Sequence, residues 1–330
     1  MRQPVLYLSI LLLLGACTSL DDLTRTYDIT PEDTGNPLIM NAQMDAGADT
    51  QTVFFHTGHP DEATLTAVSR FCVKVNGTTV AEGASETGSP TFSAAFHPGA
   101  RVEMEARAND GRSVRAETVV PAPLSILSQE VQISEDEMMQ CRLRVADRPG
   151  EKNWYRLGVW VQTSYDRQLP ERPYEHLVFL SESNLVNISG DPILSSGYSS
   201  GEEDDGLLGL MQPENGWMIF NDQAFTDGEA TLHFSLYVPE IFFFRYLRNN
   251  GKDYDGNPVK NVELNLILKV YSLSEDQYRY LKAVNAMDYY SYDFNFLSEP
   301  ITLPTNVEGG LGLVTVDYPA SVMVGIDLDS

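Results

Sequence analysis

Val262, Leu264, Leu266, Leu268 and Val270 occupy every second position of one stretch. Wound as a helix they would point to all sides; drawn out as a strand they share one face, so the stretch is read as a strand with one apolar side. The same period recurs along the chain. Leu232, Phe234, Leu236 and Val238 form another row, with His233, Ser235 and Tyr237 between them, and Val102, Met104 and Ala106 alternate ahead of the turn signal Asn109-Asp110-Gly111. In residues 68–76, Phe71, Val73 and Val75 fall on one side and Arg70, Cys72 and Lys74 on the other, before Asn76-Gly77. Strands separated by such turns are expected to stack as sheets, so the fold class is all-β.

The first residues are set aside from this reading. An apolar run from Val5 to Leu14, about ten residues, is well short of the ~20 that cross a bilayer as a helix, and it ends in Leu14-Gly15-Ala16-Cys17. Small residues before a cysteine admit a signal peptidase, and the thiol then carries the lipid. Residues 1–16 are therefore expected to be a lipoprotein signal peptide, Cys17 the lipidation site, and attachment to the membrane to run through the lipid alone. Several acyl chains, at about 0.8 kcal/mol per buried methylene, hold where one does not. An ordinary secretory leader followed by a chance cysteine is the alternative.

The formal charge of −25 repels nucleic acid and anionic headgroups alike. No nucleic-acid partner is expected, and solubility on a crowded surface accounts for the acidity.

Residues 17–37 read as a polar tether, with Asp21, Asp22, Pro31, Glu32, Asp33 and Gly35. Pro121 and Pro123 punctuate the chain further on. Residues 38–123 are read as an N-terminal immunoglobulin-like β-sandwich, and 124–330 as a larger β-rich domain with one short helix. The clearest pairing expected in the second part is a hairpin: Cys141, Leu143 and Val145, the turn 147–153, then Tyr155, Leu157, Val159 and Val161. The helix is expected at 275–287, where Ser274 and Gln277 have capping-box spacing and Tyr280, Val284 and Met287 share a face.

Five motifs occur in an order that carries a resemblance: Asn153-Trp154-Tyr155-Arg156-Leu157; Gly190-Asp191-Pro192; Phe220-Asn221-Asp222-Gln223-Ala224-Phe225; the tyrosine-rich helix; and Glu299-Pro300 with Asn306-Val307-Glu308-Gly309-Gly310-Leu311-Gly312. With the lipobox, this order resembles the Bacteroidetes lipoprotein family known as domain of unknown function 4249, and the acidic pair after Cys17 partly resembles the export signal of lipoproteins on the outer face of that outer membrane. The resemblance implies a surface lipoprotein encoded beside TonB-dependent receptors, and no catalytic residues. The motifs also have a structural reading: the glycines permit positive φ or close backbone approach, and Asn221 and Asp222 close a turn.

Catalytic chemistry is not evident. His56 and His59 with Asp61 and Glu62 offer metal-ligand types, but Gly58 and Pro60 oppose the helix that would align them. No Gly-x-Ser-x-Gly and no Walker loop occurs. Asp253-Tyr254-Asp255-Gly256-Asn257 has the oxygen-rich look of part of a calcium loop, yet Gly251 stands at the first ligand position and Val262 at the bidentate one, so a turn is expected. Glu202-Glu203-Asp204-Asp205 lies in a Ser/Gly-rich stretch read as an exposed loop. No catalytic residue, metal or cofactor is expected. Cys72 and Cys141 are expected as two unpaired thiols, since their faces differ in character.

The expected binding residues are aromatic: Phe242, Phe243, Phe244 and Tyr246, and Tyr289, Tyr290 and Tyr292, with Phe294 and Phe296 beyond. Aromatic rings with polar neighbours suit recognition of peptides, glycans and proteins, although in a strand alternate members would face the core. The expectation is a non-enzymatic accessory or cargo-binding partner of a TonB-dependent outer-membrane transporter; the alternative is an adhesin or glycan-binding module.

Overall fold

The computed structural model describes residues 36–58, 64–134, 138–148, 150–183, 185–196, 215–293 and 303–327. In the front part run β1 (Leu38–Asp45), β2 (Gln51–Thr52), β3 (Phe54–Thr57), β4 (Thr64–Leu65), β5 (Val68–Val75), β6 (Thr78–Ser85), β7 (Thr91–Phe92), β8 (Arg101–Ala108) and β9 (Ser113–Val119). Then follow β10 (Ser125–Ile133), β11 (Met138–Ala146), β12 (Trp154–Gln168), β13 (Tyr174–Glu182), β14 (Val186–Asn187), α1 (Pro192–Ser196) and β15 (Ile219–Asn221). The chain closes with β16 (Glu229–Tyr237), α2 (Glu240–Asn250), β17 (Val259–Leu273), α3 (Glu275–Asp293), β18 (Val307–Glu308) and β19 (Val314–Gly325). The fold is all-β, as the alternation requires.

One eight-stranded sheet, ordered β13-β12-β17-β19-β1-β3-β4 with β15 also on β12, runs through both halves of the molecule. Its β1/β3 end packs on the five-stranded sheet β18-β9-β8-β5-β6 around Met40, Phe55, Val73, Val102 and Met104. Its β12/β17 end packs on the four-stranded sheet β10-β11-β16-β14 around Leu143, Tyr155, Leu157, Leu232 and Leu268. Every apolar row named from the alternation that lies in these strands faces one of the two cores.

Long-range pairing supplies what alternation leaves open. β11 pairs with β10 and β16, while β12 pairs with β13, β15 and β17, so the expected hairpin at 141–161 is an arch whose two strands belong to opposite sheets. An apolar face is buried equally well against a strand across the core as beside one within a sheet, and alternation is silent between the two. The front core likewise does not end at residue 123. Val307, Val314 and Val316 belong to it, because β18 adds to β9 and β19 lies parallel to β1 before turning along β17. Pro37–Ser330 thus make one compact unit.

Where one short helix was expected, the described residues hold three α-helices. α2 was hidden in an aromatic run of weak helix formers. Ile241, Phe244 and Leu247 recur at helical spacing on its buried side, and Gly251 ends it at φ 62°, donating its N–H to the Leu247 carbonyl. α3 has the expected cap, with Gln277 N–H donating to Ser274 Oγ at 3.3 Å. Its buried face differs from the one expected: Gln277, Tyr278, Leu281 and Asn285 are covered, while Met287 is 41 % exposed. The reason is partly polar. Asn285 Oδ1 accepts from Trp217 N–H and its Nδ2 donates to Asn215 Oδ1 at 3.1 Å, so these bonds join the packing of Tyr278 and Leu281 in turning this face of α3 inward. Cys72, read on a charged face, is buried too; it and Cys141 lie in different sheets as free thiols.

Asp317 in β19 is buried beside Asp45 of β1, its register partner. Burial pushes its pKa up to about 6, against hydrogen bonds from the Gln43 and Gln277 side chains. The folded value lies above the unfolded 3.8, so the stability this proton confers is complete below about pH 4 and is lost as the pH rises through about 6. Asp317→Asn should therefore be more stable than the parent at pH 7.5, by up to about 3 kcal/mol, and indistinguishable from it near pH 4. Urea unfolding at both pH values checks this; an equal difference at the two would mean that the buried charge is not the cause.

Candidate functional site

The exposed side of α2 and the turn that follows carry a continuous run of aromatic rings. Phe244 points inward and meets Tyr165 edge-on at 6.0 Å; Phe243 lies against Phe244 at 5.4 Å and against Tyr254 at 5.4 Å. Tyr254 stacks on Tyr246 at 4.5 Å, and on the other side Tyr165 stacks on Phe179 of β13 at 6.2 Å. Six rings from α2, β12, β13 and one turn thus follow one another, from Tyr254 and Tyr246 outside through the buried Phe244 and Tyr165 to Phe179. Such offset and edge contacts add about 0.5–1.5 kcal/mol per pair beyond burial, enough to hold the outer rings in place. Tyr254 is 71 % exposed and Phe242 50 %.

The turn that presents Tyr254 is the segment with the look of a partial calcium loop. Asp253 Oδ1 accepts from Asp255 N–H at 3.0 Å and Asn257 N–H at 2.8 Å, and Oδ2 accepts from Asn257 Nδ2 at 3.0 Å. Burial disfavours the charged carboxylate, but these donors outweigh it and hold its pKa below the usual range. Both oxygens are committed to making a rigid turn, with Gly256 at φ 83°. On the ring side of β12 and β13 Arg167 pairs with Glu175 at 2.6 Å, while the opposite face of the same strands carries Lys260 Nζ 3.9 Å from the Tyr174 ring centre and Asp166 meeting His176 at 2.8 Å. Beside α2 an open groove of about 550 Å³ is lined by Leu247, Arg248, the first part of β17 and Ile326.

Of the residues expected to bind, Phe242, Phe243, Phe244 and Tyr246 come together here, with Phe244 buried as structure and Phe242 exposed. Tyr165, Phe179 and Tyr254 were missed. Tyr254 was read only as part of an acidic loop, and nothing local pairs Tyr165 with residues so distant in sequence. Tyr289, Tyr290 and Tyr292 lie in the last turns of α3. Phe294, Phe296, Cys17, His59, Asp61, Glu62 and the acidic run 202–205 lie outside the described residues. Among the described residues no three His, Cys, Asp or Glu side chains are grouped to hold a metal ion.

The family-like motifs are structural here. Asp191 caps α1 through Oδ1, accepting from Ile193 and Leu194 N–H at 2.8 Å each, and its Oδ2 takes His233 N–H of β16 at 2.6 Å. Asn153 N–H donates to Asp222 Oδ2 at 3.0 Å, tying the arch before β12 to the turn after β15. A second groove, of about 510 Å³, opens beside this arch between Asp147, Lys152, Asp222 and Phe225. The Asp222 pKa is raised by burial and then by Asp147, and is lowered by the Asn153 bonds. Asn306 brackets Val314, accepting its N–H at 2.9 Å and donating to its carbonyl at 2.7 Å, where the glycine-rich segment enters β19.

A family model described as "Domain of unknown function (DUF4249)" matches residues 24–318. No curated relative matches the chain. One similar solved structure, described as "Structural basis for the promiscuous specificity of the carbohydrate-binding modules from the beta-sandwich super family", is 13 % identical over 62 % of this chain and 92 % of that one. Its TM-score of 0.19 is too low to carry an argument.

Proposed function

The chain belongs to the DUF4249 family, a domain of unknown function, and from that premise we propose a non-enzymatic lipoprotein, anchored through Cys17 at the surface of the outer membrane, that binds a TonB-dependent transporter or its cargo. The observation that carries this reading is the ordered aromatic face: Phe242 and Tyr254 stand in solvent, and Tyr254 rests on rings already stacked beneath it. Rigid aromatic side chains give large contact area at little entropic cost, and they dominate binding where they are central to an interface. The lipid supplies the membrane attachment, and the acidity of the chain disfavours nucleic acid as a partner.

The test is an affinity capture of the tagged full chain from gently solubilised outer membranes, with and without Tyr254→Ala plus Phe242→Ala. A TonB-dependent receptor should copurify with the parent, and recovery with the double variant should fall roughly thirtyfold, at about 2 kcal/mol for a central aromatic. Tyr254→Ala gives up two ring contacts, so the variant should lose about 1–3 kcal/mol while staying folded, and capture is compared at a temperature where both proteins are native. Parent protein recovered alone at full yield removes the transporter reading. The open ring of Tyr254 also favours a second reading, a glycan-binding module, because a flat exposed ring suits the apolar face of a sugar. Retention on a glycan array, lost with Tyr254→Ala, would select it.

A further inference from the structure

β13 ends the eight-stranded sheet. One edge pairs with β12, and among the described residues no strand covers the other. Free edges are normally protected by a lysine, a proline, a bulge or shortness. β13 has none of these within Tyr174–Glu182; its carboxylates Glu175 and Glu182 sit toward the two ends, paired with Arg167 and Arg156, and between them Val178, Phe179 and Leu180 are exposed at 50 %, 53 % and 60 % in succession. A row of unpaired backbone groups beside three bare apolar side chains is the arrangement from which a sheet extends.

The charge pattern selects the occupant. Residues of even number share one face of β13, where His176 meets Asp166 at 2.8 Å and Glu182 is paired with Arg156. The other face carries Leu177 and Phe179, the latter stacked on Tyr165. If β13 meets itself antiparallel about a two-fold axis at Phe179, Val178 falls opposite Leu180 and His176 opposite Glu182, each twice. On the outer face His176, bonded to Asp166, then lies opposite Glu182 of the second copy, which the Arg156 side chain of that copy reaches, so a hydrogen-bonding imidazole meets a carboxylate. On the other face the two Phe179 rings adjoin, extending both aromatic runs into one. No like charges stand directly opposite each other in this register.

We propose that a second copy of this chain pairs through β13, antiparallel and two-fold about Phe179, making one sheet continuous across both copies. The inference does not rest on the transporter reading, and its test is separate from that capture experiment.

Sedimentation of the purified full chain in mild detergent over the micromolar range should give a reversible monomer–dimer equilibrium. Val178→Lys places a charge on an exposed apolar position of the edge and should weaken it at least about tenfold without changing the unfolding midpoint. Register is read by cysteine placement. In a self-opposed pair the Cα atoms are about 4.5–5.5 Å apart, within disulfide reach, so Phe179→Cys should give an oxidised dimer. Val178→Cys, opposite Leu180 rather than itself, should give none beyond the parent's background. A monomer at every concentration overturns the proposal, as does a dimer that ignores Val178→Lys or that crosslinks equally at the two cysteines.

Discussion

Gly310→Ala is expected to unfold the protein rather than soften it. A Cβ at Gly310 would stand 2.1 Å from the Leu38 carbonyl oxygen and 2.6 Å from Val114 Cγ1, where neither neighbour has room to give. The same carbonyl accepts Leu311 N–H at 3.1 Å, and Met40 N–H donates to the Leu311 carbonyl at 2.9 Å, so relieving the clash breaks the segment from β1. Val307 and Val314, both in the front core, would be pulled with it. Lost backbone bonds, lost burial and a strained approach together exceed about 4 kcal/mol, the range in which a domain of ordinary stability no longer folds. The control is Gly77→Ala in the exposed turn after β5. It has φ +77° but nothing within 4 Å of its added Cβ, and should cost only about 1 kcal/mol. Urea unfolding of both variants decides the matter; Gly310→Ala within about 1 kcal/mol of the parent would show that the segment is not seated as described.

Asp191→Ala should come next in size. The carboxylate is fully buried and serves three backbone N–H groups, those of Ile193, Leu194 and His233. Removing it leaves two buried donors and a part-buried one without acceptors, at about 1–3 kcal/mol each before water or local rearrangement reaches them, so a loss of about 4 kcal/mol is expected. Asp191→Asn keeps the Oδ1 bonds that cap α1 but turns an amide toward His233 N–H, and should lose about half as much. The ordering parent, Asn, Ala in denaturant midpoint is the readout. Equal, small losses for both variants would argue that α1 is capped by something other than Asp191.

Much of the scaffold is readable from residue order. The row Val102, Met104 and Ala106, like the row Leu232, Phe234, Leu236 and Val238, turns inward because a strand has period two and only one side of these sheets is dry. Ser274 caps α3 where the spacing to Gln277 placed it. The aromatic site was half legible: α2 supplied the rings that are dense in sequence, while Tyr165, Phe179 and Tyr254 come from separate strands and a turn. The structural role of Asp191 was hidden for the same reason, since one of its partners is His233, far along the chain.

Residue order settles local matters: which side chains can share a strand face, where turns interrupt and where a helix begins. The choice of pairing partners needed the folded molecule. Backbone hydrogen bonds are the same for every residue, so alternation states which face of β11 and β12 is buried and leaves open whether they lie side by side or across a core. The same holds for β19, whose Val314 and Val316 close the front core although they lie far along the chain from it, and for Asp317, an ordinary carboxylate in sequence whose proton affinity is set by the strands and helix that shut out water around it.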